Sequence, residues 1–219
     1  MSPTQTMRGV PVFPLPDFYL FPGTVTPLHI FETRYRQLMQ DLMDSSGRLV
    51  MAPCDPAGPR SQAGPVLPEL GTLAEIVQTE ELEDGRWLVL LLALARASVV
   101  EVPSGRLYRK VDAQVLTDPE ATGEAAALLR ARLMAALQTH SNGNWHEMPG
   151  DAPVGQLADL LLHALRLEPE PCNRGYNERD PIARAEMALA WHAAADAATE
   201  GDDVDDGEDG EDDEEAARD

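Results

Sequence analysis

Four prolines, Pro14, Pro16, Pro22 and Pro27, interrupt one apolar run between Phe13 and Ile30, and Gly23 directly follows the third. Proline fixes φ and removes a backbone N–H, so this run cannot be one long central strand. The spacing predicts a short strand over Val12–Leu15, a turn at Phe21-Pro22-Gly23 and a second extended piece over Thr24–Ile30. After Ile30 the period changes. Phe31, Tyr35, Leu38, Met39 and Leu42 recur at helical spacing, with Glu32 four residues before Arg36 on the polar side. The expectation is an amphipathic helix docked on a sheet, with Phe21, Leu28, Phe31 and Tyr35 in core or hinge packing.

Downstream, Arg48–Ala52 reads as a strand, and the five prolines and two glycines of Pro53–Pro68 predict a long exposed loop with no regular element. Gly71–Glu83 reads as a strand with an irregularity near Thr79-Glu80. Asp84-Gly85 is a hairpin signal, and Arg86–Val102 returns as a long buried strand pair or one bent strand. Ser104-Gly105 turns the chain into a strand over Leu107–Leu116. This half is antiparallel and strand-rich, and nothing in it asks for a parallel sheet.

From Asp118-Pro119 the character becomes helical. Glu124–Thr139 carries Leu128, Leu129, Leu133 and Leu137 among alanines, and a second helix runs over Val154–Leu165. A short helical turn near Cys172–Glu178 is expected after the Glu168–Pro171 break. Asp180-Pro181 fits an N-cap and first-turn proline for a third helix to about Ala198.

The pattern F-P-L-P-x-x-x-L-F-P-G-x-x-x-P-L-x-I-F-E-x-R-Y-R-x-L closely resembles the opening of the Lon N-terminal domain, the substrate-recognition domain of Lon ATP-dependent proteases, in its stand-alone bacterial form. G-T-L-A-E-I-V, the acidic stretch with Asp84-Gly85, and Ala93-Leu94-Ala95-Arg96 resemble the rest of its β domain. L-A-D-L-L and D-P-I-A-R-A-E-M resemble the helical bundle that follows. The family commonly has glycine a few residues before this arginine, where alanines stand here, which leaves the local bend open. The resemblance implies an α+β fold: a PUA-like antiparallel pseudo-barrel with one inserted helix over 8–118, a helical subdomain over 119–199, and a disordered acidic tail over 200–219. The motif residues Pro22, Gly23, Pro27, Phe31, Glu32, Arg34 and Tyr35 are expected to be mainly structural.

Composition narrows the function. Of the formal charge of −21, the last 20 residues hold 13 acids and one arginine, leaving the body moderately acidic, and Lys110 is the one lysine. Phosphate-backbone recognition and anionic membrane surfaces are both disfavoured by that balance. Cys54 and Cys172 have no CxxC spacing, no signal core precedes the first prolines, and the apolar run Trp87–Val100 is short and contains Arg96. A cytoplasmic protein is expected.

A Lon protease couples an ATPase to a serine-lysine peptidase, and neither engine is expected. Lys110 is followed by Val111, so no P-loop exists, and it stands in no peptidase motif. The chain also ends before such domains could fit. His146-Glu147-Met148-Pro149 is no zincin, and Val204 breaks any EF-hand register in the tail. No metal or other cofactor is expected, although His140 and His146 with a cysteine stay open as a remote metal set. The resemblance implies a non-catalytic module that binds unfolded or apolar polypeptide, working with a protease or chaperone. Phe18, Tyr19, Phe21 and Trp145 are the candidate peptide contacts. RNA binding is the alternative, if Arg34, Arg36, Arg106 and Arg109 gather on one surface; a peptidase is the third.

Overall fold

The computed structural model describes residues 6–140 and 149–202, with side chains through residue 198. Strand β1 (Thr6–Pro16) is longer than expected and is followed by β2 (Val25–Ile30), helix α1 (Thr33–Met43) and β3 (Arg48–Cys54). The proline-rich loop holds a two-residue hairpin, β4 (Arg60–Ser61) with β5 (Gly64–Pro65), where no regular element was expected. Long strands β6 (Leu70–Glu81) and β7 (Trp87–Val102) and the shorter β8 (Arg109–Val115) complete the sheet. The sheet order is β2-β7-β6-β3-β1-β8, and β8 also pairs with β7, so five strands close on themselves while β2 stays at an edge.

One pairing corrects the antiparallel expectation. β1 and β3 run parallel, Val12 beside Val50 through Pro16 beside Cys54. Parallel neighbours need a crossover, and α1 supplies it, covering the sheet face between them. β1 tolerates Pro14 and Pro16 because the β8 pairing has ended by Val12, leaving that segment beside β3 alone.

Helix α1 buries Tyr35, Leu38, Met39 and Leu42 against Phe13, Ile30, Trp87, Val89 and Leu91. Tyr35 stacks on Phe13 at 3.9 Å between ring centroids. The helix starts two residues later than the periodicity suggests, so Phe31 lies outside it and is 63% exposed rather than packed. Glu32 becomes the N-cap residue and pairs with Arg34 at 2.8 Å instead of Arg36.

At the Asp84-Gly85 hairpin, Leu82 accepts the Gly85 N–H and donates to Arg86, both at 2.8 Å. The irregularity in β6 falls between Ile76 and Gln78, earlier than expected. A second one pairs Leu73 with Ala95 and Ala74 with Ala93, leaving Leu94 as the extra residue of a bulge. The bend therefore survives with alanines in place of glycine. Because the bulge inverts the side-chain alternation, Trp87, Val89, Leu91 and Ala93 join the α1-covered core, while Ala97 and Val99 join a separate cluster with Val12, Val50 and Val111. Gly71 sits where β6 crosses β3, and a Cβ there would lie 2.6 Å from Val50 Cγ1.

The second half packs α2 (Gly123–Gln138), α3 (Val154–Ala164), α4 (Pro169–Asn177) and α5 (Pro181–Asp202) around a leucine core. Leu128 is a correction: it is 63% exposed, and Ala126 and Ala136 share the buried face with Leu129, Leu133 and Leu137. α4 is a full nine-residue helix because Pro169 occupies its first turn, where its missing N–H leaves nothing unsatisfied. α5 begins where Asp180 accepts the Ile182 N–H at 3.0 Å, and it runs past the expected end. Asp118 begins the link between the two halves, and the expected tail lies largely outside the described residues.

Candidate functional site

The Pro-Gly turn of the opening motif is where sheet and helices meet. Thr24 donates to the Phe21 carbonyl at 3.2 Å, and Gly23 takes φ +84°, which fits a type II turn with proline and glycine in the middle. The turn carries Phe21 away from the sheet and into the helical core, where it is 1% exposed and meets Tyr176 edge-on at 5.8 Å. Phe21 is thus packed in the joint, in line with the core or hinge expectation, and its burial corrects the expectation that it contacts peptide.

Beside it, Arg96 from β7 grips Asp159 of α3 through two 2.7 Å hydrogen bonds and donates to the Tyr176 carbonyl at 2.9 Å. Arg184 of α5 reaches the same carboxylate at 3.0 Å and also pairs with Asp118. Thr72 of β6 completes the joint, donating to the Leu20 carbonyl at 2.6 Å and lying 2.8 Å from the Tyr176 hydroxyl. Burial pushes the Tyr176 phenol up to about 12. Arg96, Asp159, Arg184, Thr72 and Tyr176 are buried and bridge the sheet and the helices, while Asp118 stays partly exposed at the rim.

The outward face of the sheet near β2 is different. β2 pairs with the first half of β7, Val25 beside Leu92, Pro27 beside Leu90 and His29 beside Leu88. β6 continues the same rows with Glu75, Gln78 and Glu80. Leu88, Leu90 and Leu92 therefore form a ladder facing away from α1, bounded by β2 on one side and polar residues on the other. Leu88 is 42% exposed and Val25 47%. A trough of about 400 Å³ lies here, lined by Pro27, Leu28, His29, Glu80, Leu88 and Leu90 among others. Phe31 extends it at one end, its ring 6.1 Å from that of His29.

Sequence reasoning missed this face. The run Arg86–Val102 reads as a long buried strand pair or one bent strand, but α1 covers only one side of the first half of β7, leaving the alternate leucines in view. The usable signal was the excess of apolar residues over available covers.

The residues expected to meet peptide are not brought together. Phe18 is half-buried against the α1-covered core. Tyr19 is half-buried beside Tyr176 and lines a separate cavity with Asp17, Asp55 and Glu170. Burial and the charges of Asp17, Cys172 and Asp55 push its phenol up to about 12. Trp145 lies outside the described residues. Of the motif residues, Gly23 takes the left-handed position of the turn, Tyr35 packs in the core, and Pro27 and Phe31 lie on the exposed face.

Burial raises the thiol of Cys54 and takes that of Cys172 to about 11, so both are protonated and poor nucleophiles at neutral pH. His163 is exposed on α3. Among the arginines that could have formed a phosphate-binding patch, Arg34, Arg106 and Arg109 are each held by a carboxylate, Glu32, Asp41 and Glu101 respectively. Among the described residues, no helix is long and apolar enough to cross a membrane.

Two solved structures share this architecture. The N-terminal domain of a Mycobacterium avium complex Lon protease superimposes with a TM-score of 0.63 at 22% identity, covering 86% of this chain and 98% of that one. A Lon N-terminal domain protein from Xanthomonas campestris gives 0.62 at 22% identity, covering 84% and 99%. The fold is therefore that of Lon N-terminal domains. The family model of the ATP-dependent protease La (LON) substrate-binding domain matches residues 9–191, and the chain belongs to that family. Similar full-length relatives include the Lon protease of Lawsonia intracellularis, 23% identical over 86% of this chain and 24% of its own length. The Lon protease of Xanthomonas oryzae is 28% identical over 69% of this chain and 19% of its own length. The chain thus spans less than a quarter of these relatives' length.

Proposed function

We propose that this chain is a non-catalytic polypeptide-recognition module that binds unfolded, apolar segments of client proteins in the cytoplasm, as an adaptor in protein quality control. Membership of the Lon substrate-binding family supports a polypeptide as the ligand. The observation that carries the reading is the exposed ladder Leu88, Leu90 and Leu92 beside the edge strand β2, an apolar surface that a stable fold does not need to leave open. The sheet, described in the family resemblance as PUA-like, acts as a rigid support on which the ladder is displayed. The arginine pairings argue against the RNA alternative, since each paired guanidinium would have to give up its carboxylate to meet a phosphate.

The test is fluorescence anisotropy of a labelled apolar peptide, a polar peptide of equal length and a short RNA against the chain and its Leu88→Asp variant. Saturable binding of the apolar peptide alone, weakened about tenfold or more in the variant, is expected. RNA binding, or apolar binding indifferent to Leu88→Asp, contradicts the proposal.

A further inference from the structure

We propose that the free edge of β2 takes up a net-basic, extended segment of a client polypeptide as an added strand whose alternate apolar side chains extend the leucine ladder. This rests on the recognition reading above and adds to it the geometry and charge of the occupant.

The edge is open in its main chain. Ala93 donates to Thr24 and Gly23 donates to Ala93, both at 2.9 Å, at the start of the β2–β7 ladder. Antiparallel alternation from there turns the backbone groups of Thr26, Leu28 and Ile30 toward β7 and those of Val25, Pro27 and His29 outward. Pro27 fits this placement, since it has no N–H to give β7. Val25 and His29 thus offer N–H and C=O groups to solvent, Pro27 a carbonyl, and no strand among the described residues pairs with them. Edges are usually guarded by lysines, by cover or by bulges. β2 carries no lysine, and its one proline removes a single donor.

The same outward residues place their side chains on the trough face, opposite Leu92, Leu90 and Leu88. A strand added here would set every second side chain in that row, so main-chain pairing and apolar contact are satisfied together. A slip of one residue would turn those side chains over, which locks the register.

Charge selects the occupant. The trough lining contains Glu80 and no lysine or arginine, and Glu80 forms no ion pair among the described residues. A second copy of this chain carries the same net charge of −21, and the acidic tail would bring carboxylates to Glu80. A foreign segment with lysines or arginines flanking its apolar residues meets no such repulsion.

The test uses the full chain and a labelled decapeptide alternating valine and serine with lysines at its ends, in three forms: unmethylated, N-methylated at the valines, and N-methylated at the serines. Strand addition requires that one methylated set loses about tenfold or more in affinity, because its N–H groups face β2, while the other set binds nearly as well as the parent. Loss on valine methylation indicates antiparallel addition, and loss on serine methylation indicates parallel addition. Equal binding of all three forms, or equal loss in both methylated forms, overturns strand addition while leaving recognition standing. Failure of the unmethylated peptide to bind removes the recognition reading as well. On the protein side, His29→Pro deletes an outward donor without touching the β7 ladder and is expected to weaken the parent peptide about tenfold. The methylated peptides decide the matter on the unaltered chain even if this variant fails to fold. Glutamates in place of the terminal lysines should lower affinity at low salt; equal or tighter binding overturns the charge assignment. Concentration-dependent dimerisation abolished by His29→Pro would identify a second copy as the occupant and overturn the proposal.

Discussion

Removing the Asp159 carboxylate should be among the most destabilising single changes available in this chain. Its oxygens lie 2.7 Å from both terminal nitrogens of Arg96 and 3.0 Å from Arg184 Nε. The side chains of Arg96 and Arg184 are 4% and 0% exposed, so neither can turn to water when the carboxylate is lost. Arg184 keeps Asp118, and Arg96 keeps the Tyr176 carbonyl as its one hydrogen-bond acceptor among the described residues. Breaking a buried pair from one side costs about 3–5 kcal/mol. At roughly 2–4 °C per kcal/mol for a chain of this size, Asp159→Ala should lower the melting temperature by about 6–20 °C. Urea unfolding followed by tryptophan fluorescence and far-ultraviolet circular dichroism measures it, with Trp87 in β7 and Trp191 in α5 reporting from the two sides of the joint. Replacing both Arg96→Met and Asp159→Leu should recover part of the loss, since an apolar pair of similar volume carries no desolvation penalty. A cost below about 1 kcal/mol for Asp159→Ala, or a double variant as unstable as the sum of the singles, would refute this reasoning.

Other expectations follow from burial and geometry. Phe31→Ser should change stability by no more than about 0.5 kcal/mol, whereas Tyr35→Ala, four residues on and buried against Phe13, should cost about 3–5 kcal/mol; chemical denaturation separates the two. Gly71→Ala should destabilise by about 1–3 kcal/mol, because its Cβ would press on Val50 and the Met51 carbonyl; a neutral result in the same assay contradicts the close approach. Hydrogen bonding from Arg109 holds the Glu101 carboxyl below its ordinary value, so its stabilisation is present at neutral pH and is lost as pH falls through the depressed value. Glu101→Gln should accordingly lose about 0.5 kcal/mol at pH 7 and match the parent in strong acid, the pair being partly exposed. A difference that persists below the carboxylate range would show that packing, not charge, holds Arg109.

The parts of the fold that were legible in the sequence are those set by local chemistry. Pro22-Gly23, Asp84-Gly85 and Asp180-Pro181 each specify their backbone within a few residues, and the period through Tyr35, Leu38, Met39 and Leu42 specifies the buried side of α1. The parallel β1–β3 pair was hidden because strand direction depends on where the chain returns after α1, which no local pattern encodes. Arg96 and Asp159 meet across 63 residues of sequence, so their pairing was equally invisible. Phe21 illustrates how a motif misleads about a site: its aromatic ring beside a turn suggests a surface contact, yet the turn delivers it into the helical core. The surface that is exposed came from residues that looked most buried, the leucines of β7. Hydrophobic run length records how much a strand could bury, and the number of covering elements decides how much it does.

The central claim, that polypeptide is recognised on the outward face of β2 and the first half of β7, is tested most directly by amide hydrogen exchange with and without a saturating apolar peptide. Slowed exchange over 25–31 and 87–92, with the helices α2 to α5 unchanged, is the expected result. Protection confined to the helices or to the cavity around Tyr19, with β2 exchanging as freely as in the unbound chain, would contradict it.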